Sequence, residues 1–199
     1  MDFLIYSRAA PAAANADDDP QLDERHWSYM DRFADRMTAR GPLLETDRQT
    51  WAGSVHIVDL PTGQAVREFV AHEPYNQAAG YEQHLIWRFV NVLGQTMWQF
   101  ARAPNEPRFL VLVLAHAPEH ASAKPTRRAA VADLPSRLRE RLIVYGELRN
   151  LDDDRPVGVA LALQAPTRAA ADALLKDRRA GIADYRELAI HDWQFGGRR

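Results

Sequence analysis

The feature of this chain that most constrains its fold is an internal repeat. Three residues of the first half recur in the same order 105 positions later in the second half, where Gly41, Gly53 and Pro61 correspond to Gly146, Gly158 and Pro166. The segment SVHIVDLPT at 54–62 also corresponds to VALALQAPT at 159–167. Several matches in one order and at one spacing favour duplication over chance, so the chain is expected to build two similar halves.

Each half has the pattern strand, helix, strand, strand, helix, strand. In the first half, short apolar runs and alternating residues predict strands near 3–7, 43–47, 51–59 and 81–89. Helical spacing predicts helices at about 22–39 and 63–71, with Gly41 ending the first. This order is that of the ferredoxin-like α+β fold, in which two helices cover one face of a four-stranded antiparallel sheet.

The second face of such a sheet also needs cover. The segment GVALALQ at 158–164 is apolar at every position but the last, which is typical of a strand buried on both faces. We therefore expect the two repeats to pack sheet-to-sheet as halves of one core. The first repeat would occupy residues 1–90 and the second residues 108–199, with a connecting helix and linker at 91–107.

Composition narrows the classes of partner and cofactor. The net charge is −2 and no basic stripe carries interleaved aromatic residues, so nucleic acid is not an expected partner. The absence of cysteine excludes disulfides, thiolate metal sites and cysteine nucleophiles. No phosphate- or dinucleotide-binding fingerprint occurs, and Pro118 within HAPEH argues against a helical histidine pair, so neither a cofactor nor a metal is expected.

The first residues, MDFLIYSRAA, lack the basic start and long apolar run of a signal peptide, and no segment has the length and apolarity of a membrane span. We therefore expect a cytoplasmic protein without a membrane partner. The basic residues are almost all arginine and alanine is abundant, which hints at a bacterial genome rich in GC.

One histidine lies among apolar residues of the first predicted helix, in the segment LDERHWSYMDRF at 22–33. His26, Met30, Phe33 and Met37 are spaced by 4, 3 and 4 residues, which places them on one buried helix face. Two roles remain open for His26. It is either a core histidine that donates to a backbone carbonyl, or a general acid or base that lines a cavity.

A second candidate segment is AHEPYNQAAGY at 71–81, which follows the second predicted helix. Glu73 lies near its turn, as a solvated carboxylate, a helix-end residue or part of a site. Ser54, at a strand start, would hydrogen-bond either a ligand or the backbone. His56 and His84 lie in predicted strands, where structural roles at the sheet interface are favoured, and the loop at 8–21 is either a surface insertion or a lid.

The first half resembles the YciI-like (YCII-related) family of the dimeric α/β-barrel superfamily. The resemblance rests on the order of four short motifs, which are His26 in the first helix, GPL at 41–43, GS at 53–54 and EPYNQAAG at 73–80. It covers residues 1–90, whereas residues 108–196 match only in the fold pattern. The resemblance implies that two ferredoxin-like βαββαβ repeats form an intramolecular dimeric α/β barrel in one chain.

The same resemblance implies a lyase or isomerase, since one relative removes chloride from a chlorinated hydroxyquinol with a His–Asp pair and muconolactone isomerases share the superfamily. His26 would transfer the proton and Glu73 would orient it, while Pro42, Ser54 and Tyr75 would contact a small-molecule substrate. The family usually has Asp where this chain has Glu73. The alternative is therefore a non-catalytic binding or accessory protein in which the pair is degenerate.

The second repeat lacks both candidate catalytic residues. Val131 aligns with His26, and Arg178 aligns approximately with Glu73. One site per chain is therefore expected, with the second repeat as its structural partner. Because this pairing replaces a dimer, the chain is expected to be a monomer (a pseudo-dimer), or a homodimer if it associates further.

Overall fold

A computed structural model describes residues 1–11, 19–101, 103, 105–114, 136–176 and 187–196. Strands β1 to β8 span Asp2–Ala9, Met37–Leu44, Trp51–Asp59, Tyr81–Asn91, Arg108–Leu114, Leu142–Arg149, Pro156–Gln164 and Glu187–Trp193. Helices α1 to α5 span Pro20–Asp31, Gly63–Ala71, Pro74–Gln77, Ser136–Arg139 and Arg168–Lys176. Within these described ranges, no helix has the length and apolarity needed to cross a membrane.

The eight strands form a closed barrel in the order β1-β3-β2-β8-β5-β7-β6-β4. Each half contributes four antiparallel strands in a corresponding order, β4-β1-β3-β2 and β8-β5-β7-β6. The halves join through β2 and β8, where Leu43 pairs with Trp193, and through β4 and β6, where Phe89 pairs with Leu148. The predicted α+β class and the barrel are confirmed.

Strand alternation divides the core into an interior and two outer layers. In β1, Leu4 joins the barrel interior, whereas its neighbours Phe3 and Ile5 pack outward in a cluster with Met30 of α1 and Phe69 of α2. A third cluster lies between the strands of the second half and α5. Both faces of the sheets are therefore buried, which accounts for the apolar strands of the sequence.

The first helix is shorter than predicted. It ends at Asp31, a 3₁₀ turn follows at Ala34–Arg36, and Met37 begins strand β2. Phe33 and Met37 have helical spacing and do join the outer cluster that contains Met30. Phe33, however, lies just before the 3₁₀ turn, and Met37 lies in strand β2. Gly41 therefore lies inside β2 rather than at a helix end, and the prediction of a helix to residue 39 is wrong.

The connecting segment is not the predicted helix in the part that the structure describes. The Asn91 side chain accepts the N–H of Gly94 at 2.9 Å, and Gly94 has a φ of 72°, a conformation that no α-helix contains. A 3₁₀ turn at Met97–Gln99 follows. It places the buried Met97 side chain in the interior cluster of the barrel, so this segment packs against the core between the two halves.

Two glycines of the sequence repeat allow close contacts where the halves join. A Cβ at Gly41 would lie 1.9 Å from the carbonyl oxygen of Gln194, and a Cβ at Gly146 would lie 2.3 Å from the Phe89 ring. Both distances are far below van der Waals contact. Each glycine therefore permits the chain of the opposite half to approach a strand more closely than any side chain would allow.

Candidate active site

Helix α1 presents His26 to the outer face of the first-half strands. The Asp19 side chain caps the helix by accepting the N–H groups of Gln21 and Leu22, and Pro20 occupies its first turn. Tyr29 and Met30 anchor the helix in the outer cluster. The His26 side chain is consequently 13% exposed, and it faces the sheet rather than solvent.

Glu73 is buried, with 3% of the residue exposed, and it is the N-cap residue that precedes helix α3. Its Oε2 accepts the N–H of Asn76 at 2.7 Å, which caps the helix, and its Oε1 lies 2.5 Å from Nδ1 of His26. An ionised carboxylate can only accept hydrogen bonds, so the proton of this contact belongs to Nδ1. In the neutral imidazole, the lone pair is then on Nε2.

Asn76, His84 and Ser7 form a chain of hydrogen bonds that begins at the residue capped by Glu73. The Asn76 Oδ1 atom lies 2.8 Å from Nε2 of His84, and Nδ1 of His84 lies 2.9 Å from the Ser7 hydroxyl. Burial lowers the pKa of His84, although the charge of Glu73 opposes this shift. A neutral His84 donates through Nε2 and accepts the Ser7 hydroxyl through Nδ1, so each contact has a matched donor and acceptor.

A cavity of about 170 Å³ lies between α1 and the outer face of strands β2 and β3. Four of the five predicted site residues line it, namely His26, Pro42, Ser54 and Tyr75. Glu73 lies behind His26 rather than in the lining. The Tyr75 ring packs on the His26 ring with centroids 4.7 Å apart. The structure therefore brings the predicted residues together around one cavity.

The sequence reasoning missed Arg40, a charged residue that lines this cavity, and misplaced His56. Both side chains are buried, line the cavity and lie opposite each other across β2 and β3. His56 and His84 both face the helices instead of the sheet interface, so the expected interface location is wrong. A polar residue between apolar neighbours in a strand can indicate a side chain that faces a site. For Arg40, this signal could be used only once the bounds of β2 were known.

The second half also reaches the cavity. Gly196, in the segment after β8, lines it and donates its N–H to the Arg40 carbonyl at 3.0 Å. Asp23, whose carboxylate accepts the Tyr75 hydroxyl, lies at another edge, and the Trp27 and Trp51 rings supply apolar surface. The cavity is thus completed by both halves of one chain.

Several sequence predictions lie outside the described residues. These are Val131 and Arg178 in the second repeat, the HAPEH segment at 116–120 and residues 12–18 of the loop at 8–21. Among the residues that the structure does describe, no group of three or more histidine, aspartate and glutamate side chains could hold a metal ion.

Because His56 is buried, we expect the free energy of unfolding to depend on pH. Burial is the main cause that lowers the pKa of His56 well below its ordinary value of 6.5. The unfolded chain therefore binds a proton that the folded chain excludes, and stability falls as pH drops below 6.5, by up to about 1.4 kcal/mol per pH unit from this group. We expect urea unfolding at about pH 7.5 and about pH 5.5 to show this loss.

Two histidine variants distinguish the contribution of His56 to this pH dependence from that of other titrating groups. His56→Leu is expected to flatten the pH dependence, whereas His72→Gln, at an exposed site, is expected to leave it unchanged. An equal slope in His56→Leu and in the unmodified chain would show that His56 does not titrate on unfolding.

Comparison with protein families finds one match, in the first half of the chain. Residues 1–90 match the family model of the YCII-related domain, so the resemblance seen in the sequence is confirmed for that part of the chain. No curated protein matches the chain. The chain is therefore a closed eight-stranded α+β barrel in which residues 1–90 match the model of the YCII-related domain.

Solved structures share this fold at low sequence identity. A chlorite dismutase from Candidatus Nitrospira defluvii is 12% identical, with 97% of this chain and 91% of that chain covered and a TM-score of 0.54. A protein described as a monooxygenase from Lactobacillus acidophilus is 8% identical, with 97% and 92% covered and a TM-score of 0.50.

A third solved structure matches about half of the chain. The 5-chloro-2-hydroxyhydroquinone dehydrochlorinase from Burkholderia phenoliruptrix, in complex with 2,5-dihydroxybenzoquinone, is 22% identical. The match covers 48% of this chain and 99% of that chain, with a TM-score of 0.42. The match thus spans nearly the whole dehydrochlorinase chain but only about half of this one.

Proposed function

We propose that this chain is a small enzyme of lyase or isomerase type that transfers a proton on a small cyclic or enolisable carbonyl compound. One observation carries the proposal, which is the 2.5 Å contact between Glu73 and His26 at the wall of a cavity. The YCII-related domain and the fold shared with proteins named as enzymes support small-molecule catalysis in general.

In the proposed reaction, Nε2 of His26 removes a proton from the carbon beside the substrate carbonyl. The C–H bond breaks and its electron pair forms the enolate, while Glu73 stabilises the resulting imidazolium through Nδ1. The cycle closes in one of two ways. The imidazolium returns the proton to another carbon, which is an isomerisation. Alternatively, the enolate expels a leaving group from the β-carbon and the imidazolium passes its proton to that group or to water, which is a lyase reaction.

The alternative is a binding or accessory protein whose His–carboxylate pair is degenerate. The geometry favours the enzyme, because the longer Glu73 side chain still reaches Nδ1 of His26 while it caps α3. A degenerate pair would not need a buried carboxylate, which is costly unless it is hydrogen-bonded.

We also propose that the two halves, residues 1–90 and 108–199, arose by duplication. They would form a pseudo-dimer within one chain, and the protein would be a cytoplasmic monomer. The corresponding strand orders and the matched contacts of Gly41 and Gly146 support a duplication. One active site per chain is proposed, in the first half, because the positions that align with His26 and Glu73 hold other residue types in the second half.

Proton exchange in heavy water tests the proposed function without knowledge of the product. Small cyclic ketones, lactones and hydroxylated quinones are incubated with the protein in D₂O, and NMR follows deuterium incorporation beside the carbonyl. We expect incorporation into at least one compound, and its loss in His26→Ala. His72→Ala is the matched control, since His72 is exposed and lies outside the cavity. Exchange that persists in His26→Ala would contradict the proposal.

A further inference from the structure

We infer that Ser54 and His56 form an oxyanion site in this cavity, which binds the carbonyl oxygen of the ligand and stabilises the negative charge that this oxygen gains in an enolate. The inference rests on the proposed function where it calls that ligand a substrate. It assigns His56 a catalytic role that the His26–Glu73 pair does not supply, and it gives Ser54 a defined function as the second donor.

The side chains of Ser54 and His56 face the cavity from the same side of β3. Residues two apart on a strand point to the same face, and Val55 between them packs in the barrel interior. Both residues line the cavity, although only 7% of Ser54 and 3% of His56 is exposed. Two polar side chains are therefore enclosed by protein next to the space that a ligand would occupy.

The corresponding strand of the second half has apolar residues at these two positions. Strand β7 occupies the same place in its half as β3, and Val159 and Leu161 correspond to Ser54 and His56 in the sequence repeat. Val159 and Leu161 are buried in the cluster between the strands of the second half and α5. The fold therefore does not require polar side chains here, so their presence beside the cavity needs another explanation.

The Ser54 hydroxyl has a proton to donate to a ligand. The Tyr81 hydroxyl donates to Oγ of Ser54 at 3.1 Å. Burial raises the pKa of Tyr81 well above its ordinary value of 10, so the tyrosine keeps the proton that it donates. A serine hydroxyl has one donor and two acceptor sites. Ser54 can therefore accept from Tyr81 and donate its own proton into the cavity.

The His56 imidazole supplies the second donor. Within the part of the chain that the structure describes, its ring packs against the rings of His26 and Phe69 and forms no hydrogen bond. Burial, followed by the nearby charges of His26 and Arg40, lowers the pKa of His56 well below 6.5, so the imidazole is neutral and carries one N–H. A buried polar group without a hydrogen bond is costly, and a ligand oxygen would remove this cost.

The base and the proposed donor lie side by side. The ring centroids of His26 and His56 are 5.9 Å apart, and both rings line the cavity. In a carbonyl compound, only the carbonyl carbon separates the oxygen from the carbon that loses its proton, so a base and an oxyanion donor must be close neighbours. A neutral His56 also does not add a positive charge beside the one that His26 gains.

The proposed step is the proton transfer already described, with the fate of the charge now assigned. When Nε2 of His26 takes the proton, the electron pair of the C–H bond forms the carbon–carbon double bond of the enolate. The π electrons of the carbonyl move to its oxygen, which accepts the hydrogen bonds of His56 and Ser54. Donors that are already in place before the charge develops stabilise the enolate more than the ground-state carbonyl.

Exchange kinetics in heavy water distinguish this donor role from a packing role. His56→Leu, which introduces the residue type that β7 has at this position, is expected to lower kcat about hundredfold to thousandfold, with a much smaller change in KM. His56→Gln keeps an N–H donor and is expected to recover part of the rate. Ser54→Ala is expected to lower kcat as well. His72→Leu is the control at an exposed histidine and should leave both constants unchanged.

A ring phenol tests the donors without turnover, and therefore independently of the proposed function. The cavity of about 170 Å³ is similar in size to one that holds benzene. The phenolate of 4-nitrophenol carries its charge on oxygen, as an enolate does, whereas 4-nitroanisole has no charged oxygen. In a His26→Ala background, where the base is absent, we expect 4-nitrophenolate to bind more tightly than 4-nitroanisole. Adding His56→Leu is expected to reduce this preference about tenfold or more.

An unchanged affinity ratio after addition of His56→Leu, or failure of both probes to bind at millimolar concentration, would overturn the inference. Exchange in His56→Leu at the rate of His72→Leu would overturn it as well. Exchange that persists in His26→Ala, together with a phenolate preference that depends on His56, would contradict the proposed function and leave the oxyanion site intact. Thermal unfolding would check that His56→Leu folds, and Ser54→Ala, which removes a single hydroxyl, carries the same two tests if it does not.

Discussion

Replacing Glu73 by glutamine is expected to lower the rate of proton exchange by about a thousandfold to ten-thousandfold. The amide is nearly isosteric and its oxygen can still accept the N–H of Asn76, so helix α3 should keep its cap. The neutral amide, however, neither fixes the proton on Nδ1 of His26 nor stabilises the imidazolium. The corresponding change in serine proteases, which disturbs the histidine tautomer, costs about ten-thousandfold.

The matched control is Glu68→Gln, which neutralises an exposed carboxylate on α2 that does not contact His26. Deuterium incorporation would be measured for both variants with the same compound. A rate for Glu73→Gln within a factor of about three of the control would mean that the carboxylate has no part in proton transfer.

Replacing Gly41 by alanine is expected to destabilise the chain by about 3 kcal/mol, at the upper end of the cost of overpacking. The new Cβ would lie 1.9 Å from the Gln194 carbonyl oxygen and 2.8 Å from the Gly196 nitrogen, which are backbone atoms that cannot move independently. The segment after β8 must therefore shift, and Gly196 would leave the cavity wall.

Gly63→Ala is the control for Gly41→Ala. A Cβ at Gly63 would meet only the Arg67 side chain, at an ordinary 3.8 Å, and alanine is the better helix former in α2. Urea unfolding would compare the free energies of the two variants with that of the unmodified chain. A loss below about 1 kcal/mol in Gly41→Ala would show that the two halves do not meet tightly at this glycine.

Much of the fold followed from local patterns. The boundaries of β3 were predicted at 51–59 and those of α2 at about 63–71, and the structure has Trp51–Asp59 and Gly63–Ala71. The alternation of apolar and polar residues in β3 and the Pro-Thr-Gly start of α2 are local patterns. They can therefore be recognised in the sequence without knowledge of the tertiary structure. The repeat also led to the prediction of a barrel; the closed eight-stranded barrel is confirmed, whereas the origin of its halves as two repeats stays a proposal.

The errors arose where tertiary pairing overrides local spacing. Residues 37–39 were assigned to the first helix and Gly41 to its end, whereas pairing with β3 makes these residues part of strand β2. Arg40 therefore had no assigned face, and its place in the cavity could not be derived. His26 and Glu73 were selected by motif, but their contact depends on how α1 and α3 pack together, which no short segment of the sequence encodes.

The tautomer of His26 is a direct test of the proposed proton-transfer pair. Nitrogen NMR of the ¹⁵N-labelled chain would identify which ring nitrogen carries the proton of the neutral imidazole, with His26→Ala used to assign the signals. We expect a proton on Nδ1, an unprotonated Nε2, and a change in this distribution in Glu73→Gln. A proton on Nε2, or a spectrum indifferent to Glu73, would contradict the proposed proton-transfer pair.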